Sequence, residues 1–100
     1  MILFEWDRSK AEINKRKHGV TFEDAMQVFG DPFALSHLDR VEEDEPRWQT
    51  IGMVAEVVIL LVAHTVQDDE QEEIIRIISA RRATRKERTR YEENRQKNSC

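Results

Sequence analysis

The sequence predicts an α+β fold, a small antiparallel β-sheet with helices packed on it, in the order β-α-α-β-β-β-β-α. Three observations lead there. Residues 57–66 are apolar on both faces, which marks a central strand covered on both sides, at least in part. That run sits among four strand candidates joined by short loops, which suits an antiparallel meander. Helix-start signals lie on either side of it, Thr21-Phe-Glu-Asp24 before and Thr84-x-x-Glu87 after.

Residues 2–6 read as a short strand. Asp7 or Ser9 can cap the first helix, which runs to about His18, and Gly19 can take the left-handed position that closes it. This helix is polar, with Ala11 and Ile13 as its main apolar side chains, so it is expected on the surface. Phe22, Ala25, Met26 and Phe29 follow at helical spacing and predict an amphipathic second helix, ended by Gly30-Asp31-Pro32. The next strands are expected at residues 33–38 and 47–54, separated by the acidic turn Glu42-Glu-Asp-Glu-Pro46. Ala55-Glu56 is a tight turn into the central strand. An acidic loop, residues 67–73, precedes the last strand at 74–80. Thr84 and Glu87 form a capping-box pattern at the start of the final helix. The whole chain, 1–100, is expected to be one domain, with residues 95–100 a frayed tail.

The formal net charge is −4, which by itself argues against nucleic-acid binding, but the charge is unevenly placed. From Arg76 onward there are nine lysines and arginines against three glutamates, a balance of +6; residues 1–75 balance at −10. The local field of the C-terminal segment is what an anionic partner would meet. The single cysteine, Cys100, allows no internal disulfide and fits a reducing compartment, so a cytoplasmic location is expected. The N-terminus lacks the basic and long apolar regions of a signal peptide, and no apolar run is long enough for a membrane span.

The segment Arg76-Ile-Ile-Ser-Ala-Arg81-Arg82-Ala-Thr84-Arg-Lys-Glu87-Arg88-Thr-Arg90-Tyr91 joins an apolar strand to an arginine-rich helix. Guanidinium groups match phosphate oxygens in a bidentate fork and stay charged at any accessible pH. The sheet and its exit turn fix Arg76 and Arg81, so these two are the expected phosphate and transition-state contacts. Arg81, Arg85 and Arg88 at i, i+4, i+7 read as a basic stripe, with Arg82 beside it. Arg85, Lys86, Arg88 and Arg90 read as an electrostatic apron for RNA or a protein partner, and Lys17 and Arg82 as further RNA contacts. Ala83, Glu87 and Tyr91 are expected to face the sheet, with Glu87 held by Arg76 or Arg81 and orienting them. A solvated helix held by Glu–Arg pairs is the competing reading. No two histidines stand at metal-ligand spacing, so neither a metal nor another cofactor is expected. His64, at the end of the central strand, is a candidate proton-transfer group, or else a satisfied core histidine. Tyr91 is either a packing anchor or a substrate contact. No P-loop, dinucleotide fingerprint or nucleophilic serine or cysteine motif is present. The remaining inventory suits RNA cleavage in which the substrate's own 2′-hydroxyl attacks the phosphate.

Several motifs together resemble BrnT-type toxins over residues 2 to about 92. They are Phe4-Glu-Trp-Asp7, Asn14-x-x-Lys17-His18-Gly19-Val20-x-Phe22-Glu23-x-Ala25, Val28-Phe29-x-Asp31-Pro32, Arg47-Trp48-x-x-Ile51-Gly52, Val62-x-His64-Thr65 and Arg76-Ile-Ile-Ser-Ala-Arg81-x-Ala83-Thr84-x-x-Glu87-Arg88-x-x-Tyr91. The resemblance implies a RelE-like fold and a type II toxin–antitoxin ribonuclease that halts translation. It implies RNA as substrate and a BrnA-type ribbon-helix-helix antitoxin as partner, the complex binding operator DNA through the antitoxin. A non-catalytic module whose basic helix docks RNA or an acidic protein is the alternative.

Overall fold

The computed structural model describes residues 1–98. Its elements are β1 (Ile2–Glu5), α1 (Arg8–His18), α2 (Phe22–Met26), a 3₁₀ turn (Gln27–Gly30), β2 (Leu35–Glu42), β3 (Glu45–Val54), β4 (Val58–Asp68), β5 (Glu73–Arg82) and α3 (Arg85–Asn98). This is the expected α+β order. Strands β2 to β5 form the antiparallel meander, and the sheet order is β1-β5-β4-β3-β2.

The sheet departs from a wholly antiparallel one at its first strand. β1 lies parallel to β5, with Ile2 opposite Glu73 and Glu5 opposite Arg76. The two strands are far apart in sequence, so no hairpin turn dictates their direction. Beyond Arg76 a side chain takes over from β1. The Asn14 carboxamide accepts from the Ala80 N–H at 3.1 Å and donates to the Ala80 carbonyl at 2.8 Å and the Val20 carbonyl at 3.0 Å. An amide side chain thus stands in for a strand's peptide group and pins α1 to the sheet edge.

Caps form where the sequence places them. Asp7 accepts from the Lys10 N–H at 3.0 Å, and Gly19 closes α1 at φ 70°. Thr21 accepts from the Asp24 N–H at 3.1 Å. The second helix is shorter than its apolar spacing suggests. After Met26 it tightens into the 3₁₀ turn, which buries Val28 against β3. A Cβ on Gly52 would meet Val28 Cγ1 at 2.7 Å, so only glycine allows this approach. β2, β3 and β5 run longer than expected; between β2 and β3 the two-residue turn Glu43–Asp44 carries backbone pairing into the charged flanks. Glu43, Asp44, Ala55 and Glu56, the turn residues, all have positive φ. α3 continues to Asn98, past the point where a frayed tail was expected. Ser99 and Cys100 lie outside the described residues.

The sheet has two unlike faces. On one, Val20, Phe22, Ala25 and Val28 pack against Val54, Leu60, Val62, Ile75, Ile77 and Ala80. On the other, α3 covers one end, where Tyr91 and Ala83 meet Ile51, Ile59 and Leu61. Farther along that face Arg47, Gln49, Ala63 and Ser79 are only half-buried and Arg76 is exposed. Among the described residues no helix is long and apolar enough to cross a membrane.

Candidate functional site on the open face of the sheet

Arg76 and Arg81 are five residues apart, and plain alternation would point them to opposite faces. A bulge reverses the parity. Ala63 pairs with Ser79 and His64 with Ile77, so Ile78 is the extra residue. Arg76 then lies opposite Thr65, and Arg81 opposite Leu61, two residues of equal parity on β4. Both arginines therefore rise from the face that carries α3. Their backbones are roughly 15 Å apart along the strand. That separation suits two phosphates of one chain better than a shared one.

Arg81 is held rigidly. Its Nη1 and Nη2 donate to the two Glu87 carboxylate oxygens at 2.7 and 3.0 Å, a bidentate fork. Glu87 also accepts from the Thr84 N–H at 2.8 Å, while its own N–H donates to Thr84 Oγ1 at 3.2 Å. The capping box and the ion pair share one carboxylate. The Arg81 hydrogen bonds hold the Glu87 carboxyl down to about 2, against the cost of burial. A carboxylate that acidic is a poor general base at neutral pH. The same hydrogen bonds raise Arg81 above its ordinary value. Arg81 belongs to β5, so only Arg85 and Arg88 of the expected stripe lie on α3. Arg76 makes no ion pair among the described residues.

Tyr91 is 1% exposed and lies beneath α3. Its hydroxyl donates to Asp31 Oδ2 at 2.5 Å, and Asp31 also accepts from the N–H groups of Met53 at 2.8 Å and Phe33 at 2.9 Å. Burial, followed by the Asp31 contact, pushes the Tyr91 phenol well up. Burial opposes the charge on Asp31, but the Tyr91 hydroxyl, the two N–H donors and nearby Arg95 outweigh it and lower its pKa. This cluster, with Asn94 donating to the Phe33 carbonyl at 3.1 Å, clamps α3 to the sheet. It does not place the phenol on the open surface.

His64 points the other way. It pairs with Ile77 and Trp48 and faces the helix-covered side. Its Nε2 meets Thr50 Oγ1 at 2.7 Å, and Thr50 meets Ser36 Oγ at 2.7 Å. Nδ1 is 3.4 Å from the Thr65 carbonyl, which can only accept, so Nδ1 carries the proton and Nε2 accepts from Thr50. The Phe29 ring stands edge-on at 4.8 Å. Burial lowers the His64 pKa, so the ring stays neutral. It lines a cleft of about 380 Å³ whose charged members are Asp68 and Glu73. The sheet therefore separates His64 from the arginines.

Lys17, Arg82, Arg85 and Arg88 are all exposed. Lys17 lies at the β5 edge in a shallow groove with Ile78 and Ser79. Arg82 borders a cleft on the turn side with Val54 and Ala55. Two residues that the sequence reading did not single out also belong to the open face. Arg47 alternates with Gln49 and Ile51, and His37 with Leu35, which pairs with Ile51. Counting back by two from the buried Ile51 would have found Arg47; His37 is placed by the β2–β3 register.

Residues 6–87 match the family described as ribonuclease toxin, BrnT, of type II toxin-antitoxin system. Among solved structures, the Brucella abortus ribonuclease toxin BrnT aligns with a TM-score of 0.60 at 26% identity, over 85% of this chain and 99% of that one. No curated protein sequence matches the chain. With a family match across most of its length, and that family's fold, the chain belongs to the BrnT ribonuclease toxins of type II toxin–antitoxin systems.

Proposed function

We propose that this chain is a metal-independent endoribonuclease that cleaves RNA on the open face of its sheet and so halts translation. The substrate's 2′-hydroxyl gives its proton to water and attacks the adjacent phosphate. The bond to the 5′-oxygen breaks, leaving a 2′,3′-cyclic phosphate and a 5′-hydroxyl protonated by water, while the protein supplies charge stabilisation. Arg76 and Arg81 contact phosphates, because guanidinium groups stabilise charge that grows on non-bridging oxygens. Glu87 orients Arg81. Lys17, Arg82, Arg85 and Arg88 form the wider basic surface for RNA or antitoxin. Tyr91 holds α3 in place, and His64 holds the covered face. The antitoxin in this reading is a BrnA-type ribbon-helix-helix protein that also carries operator binding.

The observation that carries the proposal is the bulge at Ile78, which brings the exposed Arg76 onto the face where Glu87 holds Arg81 in a fixed fork. Induced expression in bacteria tests it. The wild type is expected to arrest growth, and the Arg76→Ala, Arg81→Ala double variant is expected to relieve that arrest. Undiminished arrest in the double variant would overturn the assignment. With purified protein, cleavage should persist in excess chelator. A gel shift without any shortening of the RNA, with or without ribosomes, would favour a non-catalytic binding module.

A further inference from the structure

Among the described residues, two buried side-chain polar atoms have no hydrogen-bond partner in the protein, His37 Nδ1 and Arg47 Nε. Buried polar atoms are nearly always paired, so each exception calls for a cause. These two are neighbours. His37 lies directly opposite Gln49, and Arg47 is two residues before Gln49 on the same strand. That makes them diagonal partners on one face, with Cβ atoms about 7–8 Å apart and within reach of long side chains. The face is the open one that carries Arg76 and Arg81.

Arg47 is not neutralised strongly. Among the described residues its only ion pair is with Glu45 at 3.5 Å, and that carboxylate is 54% exposed. A pair of this kind is worth little. Across from Arg47 lies Arg40, which is turned to the exposed carboxylates of Asp39 at 3.4 Å and Glu42 at 3.2 Å. Between Arg47 on β3 and Arg76 on β5 the face holds Gln49, Ala63, Thr65 and Ser79, all uncharged. β3 and β5 are about 10 Å apart across β4. The open face thus has a neutral floor with cations on two opposite sides.

We propose that His37 and Arg47 form a second phosphate contact, so that one strand of RNA lies across this floor from Arg76 to the β2–β3 hairpin. Both nitrogens are closed to solvent in the free protein, so on binding the two side chains turn outward, and Arg47 Nε–H and a hydrogen-bearing His37 Nδ1 both donate to phosphate oxygens. The identity of the polyanion as single-stranded RNA rests on the ribonuclease reading above; the pairing of these two side chains with an anion rests on their own geometry.

The test uses the full chain and a short fluorescent 2′-O-methyl RNA, whose blocked 2′-oxygen prevents cleavage. Binding is measured over a range of salt. Each phosphate contact to a single strand contributes about 0.7 to the slope of log K against log salt. Arg47→Gln is expected to weaken binding and flatten the slope by about that amount, while Arg47→Lys keeps the slope. In the wild type, the His37 imidazole resonances should shift on adding the oligonucleotide and those of His64 should not. If Arg76→Gln flattens the slope but Arg47→Gln leaves it unchanged and His37 does not respond, the second contact is wrong and the ribonuclease reading stands. If the wild type binds no RNA at all, both fail.

Discussion

The two faces of the sheet are made by the same strands yet are built for different ends. On β4, His64 and Thr65 are neighbours in sequence, but the buried His64 is locked to the buried Thr50, which in turn meets Ser36 at the surface, while Thr65 lies beside the exposed Arg76. The covered face spends its polar groups on one another. Among the described residues the open face leaves Arg76 without an ion pair, and His37 and Arg47 each with an unpartnered nitrogen. The difference teaches that a chemically versatile side chain at a strand end is not a site until the pleat says which way it points.

If the covered face is structural, damage there should appear as lost stability. Asn14→Ala carries the largest expected effect. It strips the Ala80 N–H and carbonyl of their partners in a buried place, which should cost about 2–3 kcal/mol. Denaturant melts would check this, and an unchanged midpoint would remove the Asn14 pin from the account. Gly52→Ala comes next, at about 1–2 kcal/mol, because the added methyl overlaps Val28.

Acid should separate the two faces by pH window. His64 has a lowered pKa in the fold, so the unfolded chain binds its proton first. That stability is full above the ordinary value of 6.5 and declines as pH falls below it. Glu87 is lowered from 4.5 to about 2, so its contribution is full above 4.5 and is lost as pH falls towards 2. Thermal melts across pH should show His64→Gln flattening the upper window and Glu87→Gln the lower one. A single shared window would break the comparison. The smallest effect is at a turn shared by both faces. Glu56→Gly relieves a left-handed residue at φ 58° and should stabilise by about 0.5 kcal/mol.

Much of the fold was legible because local chemistry agrees with it. Thr84-x-x-Glu87 became a reciprocal capping box, and the apolar run at 57–66 became the central strand. The parallel seat of β1 was not legible, since four residues carry no sign of direction. The bulge at Ile78 was not legible either, because it is a property of pairing between two strands and not of either alone. Yet it decides that Arg76 and Arg81 share a face. Helical spacing and burial called for a cation at Glu87, either Arg76 or Arg81, and it is Arg81 that pairs with it. Tyr91 stood between two roles in the sequence, and the Asp31 clamp that occupies its hydroxyl lies 60 residues away.

If the arginine face does the chemistry and the histidine face holds the fold, cleavage of one RNA, normalised to the folded fraction, should separate purified Arg76→Gln from His64→Gln. Arg76→Gln should lose about 10²–10³-fold, the size expected when a charge-stabilising donor is removed, and His64→Gln should cleave near the wild-type rate per folded molecule. Full activity in Arg76→Gln together with loss in His64→Gln would contradict that division.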